Sequence, residues 1–183
     1  MRLLVLVASL LFADLLSAQA PARTVYVVRH AEKVDNSRDP ALSERGARRA
    51  MALADALANA RIDGVVVTQF IRTRDTAAPT SDAHSVQPVV VAAGGGSVAH
   101  HAAAVADAVR SLDAGSVLVV GHSNTVPAIV AALGGPGMPD ICDSQYSNLF
   151  VLVIPAVGEV TTAHVRFGEP DPDDPGCAGM SHG

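Results

Sequence analysis

Two histidines stand directly after short apolar, β-branched runs. Thr24-Val25-Tyr26-Val27-Val28 leads into Arg29-His30-Ala31-Glu32-Lys33, and Ser116-Val117-Leu118-Val119-Val120 leads into Gly121-His122-Ser123-Asn124-Thr125. A third run, Val65-Val66-Val67-Thr68, is followed within a few residues by Arg72. A neutral imidazole can attack phosphorus and hold the phosphoryl group covalently, which divides one hard step into two. Guanidinium forks match the oxygens on which negative charge develops. A second imidazole completes such a pocket, and an acid protonates the leaving oxygen. Arg29, His30, Arg72 and His122 supply most of these parts.

Such parts work only if the fold brings them together. Short runs of Val, Ile and Leu read as buried strands, and ligands bind beyond the carboxyl ends of the strands in open α/β sheets. Between the runs, Ala47, Ala50, Met51, Ala54, Leu57 and Ala58 recur at helical spacing over 43–60, with Ser43 as N-cap and Pro40 ahead of it. A short helix is expected from about Thr73 through Ala77, ending where Pro79 interrupts it. Gln87 to Val91 reads as a shorter strand, and Gly94-Gly95-Gly96 as a loop. Ser97 caps a helix with Val98, Ala102, Val105, Val109 and Leu112 on one stripe. Pro127 suits the first turn of a helix running to Leu133, and Asn148–Ile154 with Val160–Phe167 reads as an edge hairpin. The expected fold is α/β: a three-layer sandwich with a mostly parallel central sheet and helices on both faces.

At 183 residues the chain suffices for one domain, and with 3% aromatics its core must be built from Ala, Val and Leu. A net charge of −5 argues against nucleic acid as a partner. Residues 1–20 read as a signal peptide: Met1-Arg2, an apolar run from Leu3 to Phe12, then Ser17-Ala18-Gln19-Ala20 as the cleavage site. The alternative is a retained anchor or a buried first helix. Cleavage leaves a mature form without a membrane anchor, periplasmic or secreted, where Cys142 and Cys177 can pair. The domain then spans 21–167, and 168–183 is an irregular tail rich in Pro, Gly and Asp.

With these residues in place, the chain resembles the histidine phosphatase superfamily, the phosphoglycerate-mutase-like fold. Arg29-His30-Ala31-Glu32-Lys33 is a variant of the family's Arg-His-Gly motif, and Leu42-Ser43-Glu44-Arg45-Gly46 matches its Leu-Ser/Thr-x-x-Gly helix start. Thr68 through Ala77 matches the segment bearing the second arginine, and Gly121-His122-Ser123 the second histidine. The resemblance implies His30 as the phosphorylated nucleophile, with Arg29, Arg72 and His122 forming the phosphate pocket. It calls for no metal or cofactor and for a small phosphorylated substrate. Ser123, Asn36 and Asn124 are candidate neutral contacts to phosphate; Asn124 could instead cap the following helix. His84, His100, His101, His164 and His182 are expected to face solvent.

The departure lies in the acid. No Glu occurs between Arg72 and His122, and Ser123 stands where another branch of the family has Asp. Either Glu32 is the acid, or the leaving groups need little protonation; Glu32 could equally be structural. The expected function is metal-independent phosphomonoester hydrolysis through a phosphohistidine on His30. The alternative is a non-catalytic module that binds phosphate or a phospho-sugar. Specificity falls to the loops at 34–41, 80–97 and 136–146.

Overall fold

The computed structural model describes residues 22–177. The expected leader, 1–20, lies outside them, as does His182. In chain order the elements are β1 (Arg23–Arg29), α1 (Glu44–Ala56), β2 (Gly64–Val67), α2 (Ile71–His84), β3 (Val89–Val90), α3 (Val98–Ser111), β4 (Ser116–Gly121), α4 (Val126–Ala132), β5 (Asn148–Ile154) and β6 (Thr161–Arg166). The sheet order is β3-β2-β4-β1-β5-β6. The first four strands are parallel, and the β5–β6 hairpin adds two antiparallel strands at one edge.

Strand periodicity divides the core in two. Val25 and Val27 of β1, with Val117 and Val119 of β4, face α3 and α4 and pack with Val105, Val109, Ile129 and Val130. Val28, Leu118 and Val120 point the other way, onto Leu53, Leu57 and Ala77 of α1 and α2. Alternate residues of a strand face opposite sides, so a continuous apolar run is what a sheet covered on both faces requires. The architecture is the α/β sandwich expected from the sequence.

Helix α1 starts where the sequence places it: the Ser43 side chain accepts from the Gly46 N–H at 3.1 Å. A Cβ at Gly46 would overlap the carbonyl oxygen of Glu32, so the helix start and the loop after β1 can meet only at glycine. Ser43 N–H also donates to that carbonyl at 2.9 Å.

Two expectations need correction. Helix α2 does not stop at Pro79; it runs from Ile71 to His84 with the proline inside. Proline removes the bond to the carbonyl four residues back, here that of the exposed Asp75, which water can satisfy. The strand expected over Gln87–Val91 is only Val89–Val90. Pro88 has no N–H to donate, and the strand lies at the sheet edge.

Cys142 and Cys177 are joined in a disulfide with their Cα atoms 5.8 Å apart. Closing 35 residues in this way constrains the unfolded chain by roughly 4 kcal/mol. Residues 168–177 carry no helix or strand. No described helix is long and apolar enough to cross a membrane.

Candidate active site

Strand register makes the site. β1 and β4 are parallel neighbours with Arg29 opposite Gly121, so both strands end at the same level. The His30 N–H donates to the Gly121 carbonyl at 2.9 Å. The His30 and His122 rings lie 5.4 Å apart between centroids, at 65° to one another.

Hydrogen bonding sets each ring's tautomer. His30 Nδ1 lies 2.8 Å from the Ala31 carbonyl oxygen, which can only accept. Nδ1 therefore carries the proton and Nε2 the lone pair. His122 Nδ1 lies 3.5 Å from Arg72 Nη2, which can only donate, so the His122 proton sits on Nε2, 3.2 Å from Thr68 Oγ1. Thr68 is held in turn by Thr73 Oγ1 at 2.9 Å. Thr76 Oγ1 donates to the Arg72 carbonyl at 2.7 Å and accepts from the Ala31 N–H at 2.9 Å. Three threonines thus clamp the start of α2 to both histidine loops.

Two guanidinium groups flank the imidazoles. Arg29 is 3% exposed, its Cζ lies 4.0 Å over the Tyr146 ring, and its Nη2 is 3.3 Å from Asp143 Oδ1. Arg72 lies over the Phe70 ring at 4.3 Å and faces Asp39 Oδ1 at 3.8 Å. These groups open onto a cleft of about 450 Å³, walled also by Lys33, the Gly94–Val98 segment and His101. Among its lining residues Asp143 is the single carboxylate. The cleft is therefore cationic on an acidic protein.

Burial, reinforced by Arg29, His122 and Arg72 and opposed by the Ala31 carbonyl, holds His30 down to about 3. Burial, with Arg72, His101 and Arg29, holds His122 down to about 4. Both rings are neutral near neutral pH, the form in which His30 Nε2 is nucleophilic. Burial also lowers Arg29 and Arg72, but a guanidinium remains charged.

Comparison with known proteins follows the same line. The model of the histidine phosphatase superfamily (branch 1) matches residues 25–94, a stretch that contains Arg29, His30 and Arg72. Over that stretch the chain is similar to the histidine phosphatase superfamily. No curated protein matches the sequence. Among solved structures, the protein histidine phosphatase SixA complexed with tungstate is similar at 21% identity and a TM-score of 0.61, over 78% of this chain and 96% of that one. A SixA-type structure from Nakamurella multipartitia is similar at 26% identity and a TM-score of 0.57, covering 83% and 98%. A mycobacterial glucosyl-3-phosphoglycerate phosphatase with inorganic phosphate is similar at 18% identity and a TM-score of 0.60, covering 78% and 96%.

Set against the histidine phosphatase pattern, the structure brings together Arg29, His30, Arg72, His122, Ser123 and Asn124 at the cleft. It does not bring Glu32 or Asn36 there. The Glu32 carboxylate is gripped by Arg49, with Nε at 3.0 Å from both oxygens and Nη2 at 2.8 Å from Oε1, and Arg45 Nε lies 3.2 Å away. Asn36 is exposed and accepts from Lys33 Nζ at 3.1 Å. Asn124 does not cap α4, whose N-cap is Thr125.

His101 is the other correction: expected in solvent, it is 6% exposed, lines the cleft and has Nδ1 3.2 Å from the Ala92 carbonyl. Its signal was available, because 98, 101, 102, 105 and 109 follow one helical stripe. Lys33, Thr68 and Tyr146 were also missed as parts of the site. Thr68 could have been suspected as a hydroxyl at a buried strand end; Tyr146 lies in a loop that gives no such signal. Among the described residues no group of three or more His, Cys, Asp or Glu gathers to hold a metal.

Proposed function

We propose that the protein is a metal-independent phosphatase that hydrolyses small phosphomonoesters through a phosphohistidine on His30. The observation that carries this reading is the pair of neutral imidazoles 5.4 Å apart, with His30 Nδ1 tied to a carbonyl and its Nε2 left for phosphorus. In the first step the Nε2 lone pair forms the N–P bond while the ester P–O bond breaks. Arg29 and Arg72 take the charge on the phosphoryl oxygens, and His122 lines the pocket with its Nδ1 against Arg72 Nη2. Water then attacks phosphorus, the N–P bond breaks and inorganic phosphate leaves. Glu32 is committed to Arg49, and Asp143 is 97% exposed beside Arg29. The leaving oxygen therefore takes its proton from solvent or from the substrate's own phosphate, which favours good leaving groups. Ser123 and Asn124, which line the cleft, are the neutral contacts.

The proteins with similar folds include a protein histidine phosphatase and a glucosyl-3-phosphoglycerate phosphatase. That range supports phosphoryl transfer to water as the reaction. The disulfide, together with the leader expected over 1–20, supports a periplasmic or secreted location. The same missing acid favours a second reading, a phosphate or phospho-sugar binding module without turnover. Assay of the full chain on p-nitrophenyl phosphate with EDTA separates the two. Turnover lost in His30→Ala, with acid-labile phosphate trapped on the wild-type protein, supports the enzyme. Phosphate binding without turnover supports the module, and activity lost to EDTA and restored by zinc overturns the metal-free scheme.

A further inference from the structure

Arg29 is oriented by a single loop. Its Nη1 donates to the carbonyls of Cys142, Asp143 and Gln145 at 2.8, 3.2 and 3.0 Å. These bonds fix the guanidinium against rotation in its own plane, and the Tyr146 ring beneath it fixes the plane. With Nη1 occupied and Nε buried, Nη2 is the donor left for a ligand. Nη2 meets the exposed Asp143 carboxylate, and Nε has no partner among the described residues.

That loop has no helix or strand of its own between 142 and 147; the end of the chain holds it. Asp171, with its side chain 6% exposed, accepts at Oδ1 from the N–H groups of Tyr146 at 2.8 Å and Ser147 at 3.1 Å. Its Oδ2 accepts from Ser147 Oγ at 2.6 Å and Arg166 Nη1 at 3.1 Å. Asp174 accepts from Ser144 Oγ at 2.8 Å, and the disulfide ties Cys142 to Cys177. The same segment reaches the other side of the motif. Arg49 donates to the carbonyls of Phe167 and Glu169 at 3.2 and 2.9 Å while it grips Glu32.

We propose that residues 168–177 are a positioning device for Arg29, in which Asp171 and the Cys142–Cys177 bond fix the loop that orients the guanidinium and so set phosphate affinity. The proposal rests on the reading that Arg29 receives the phosphoryl group. A guanidinium donor aims at a phosphate oxygen only when its plane and edge are fixed. A loosened 142–147 loop keeps the charge nearby but loses that geometry, so opening the disulfide makes phosphate affinity sensitive to reductant.

The test is a double-mutant cycle on the full chain, read by calorimetric titration with inorganic phosphate. Asp171→Ala, and separately Cys142→Ser with Cys177→Ser, should each weaken phosphate by about tenfold when Arg29 is present, and change it little in an Arg29→Ala background. Asp171→Asn, which keeps the oxygen that accepts from the Tyr146 and Ser147 N–H groups but turns its amide toward Arg166, should recover part of the loss. Equal factors in both backgrounds, or no change when the loop is released, would overturn the proposal. If Arg29→Ala itself leaves phosphate binding unchanged, the assignment of Arg29 to phosphate fails instead. Should the substituted chains not fold, reductant added to the folded wild-type protein decides. Weaker phosphate binding that is absent in Arg29→Ala supports the device, and unchanged binding overturns it.

Discussion

Acidification should destabilise this protein through its two central histidines, by an amount the site geometry sets. In the unfolded chain each titrates near 6.5, whereas the folded protein holds His30 down to about 3 and His122 to about 4. Between these values the unfolded state binds more protons, so stability rises with pH. The contribution is complete above about 6.5 and is lost as pH falls below it. From about pH 8 to about pH 5 each imidazole withdraws about 2 kcal/mol of unfolding free energy, because one pKa unit is about 1.4 kcal/mol. Carboxylates shift the wild-type curve as well, so the informative quantity is a difference. His30→Gln removes one imidazole and its protonation cost. The gap between variant and wild type should move by about 2 kcal/mol in the variant's favour over that range. Urea unfolding in phosphate-free buffer at both pH values measures it. Parallel pH curves for the two proteins would refute a His30 buried in neutral form.

Glu32→Gln should cost up to about 3 kcal/mol of stability, because it removes the nearer carboxylate from the buried Arg49 and leaves only Asp171, 3.8 Å away. In the same variant a series of aryl phosphates of graded leaving-group pKa should show the steep dependence of the wild type, unchanged in slope; a change in slope would return Glu32 to the role of acid. Gly46→Ala should lower stability by about 1–3 kcal/mol in thermal or urea unfolding, since the added methyl displaces the Glu32 carbonyl or the start of α1.

The reactive groups were legible because each is written into a short contiguous stretch. A β-branched run ending in Arg-His or Gly-His declares both a strand and what projects from its end, and Leu42 to Gly46 declares a helix start. Partnerships were less legible. Nothing near Glu32 announces that Arg49, one turn beyond Gly46, will claim its carboxylate. Nothing near Arg29 announces that carbonyls more than a hundred residues on will hold it. Backbone carbonyls leave no trace in the pattern of side chains. Pro79 misled for a related reason: its local cost depends on whether the freed carbonyl meets water, and only the packing of α2 decides that.

The pairing of β1 with β4 has a further consequence. Neighbouring strands are spaced about 4.8 Å apart by main-chain hydrogen bonds, whatever side chains they carry. Because His30 and His122 cap two such neighbours at one level, the separation between the two imidazoles is a backbone constant. The surrounding loops are free to vary in length and composition, and to change what the cleft admits, without disturbing that pair.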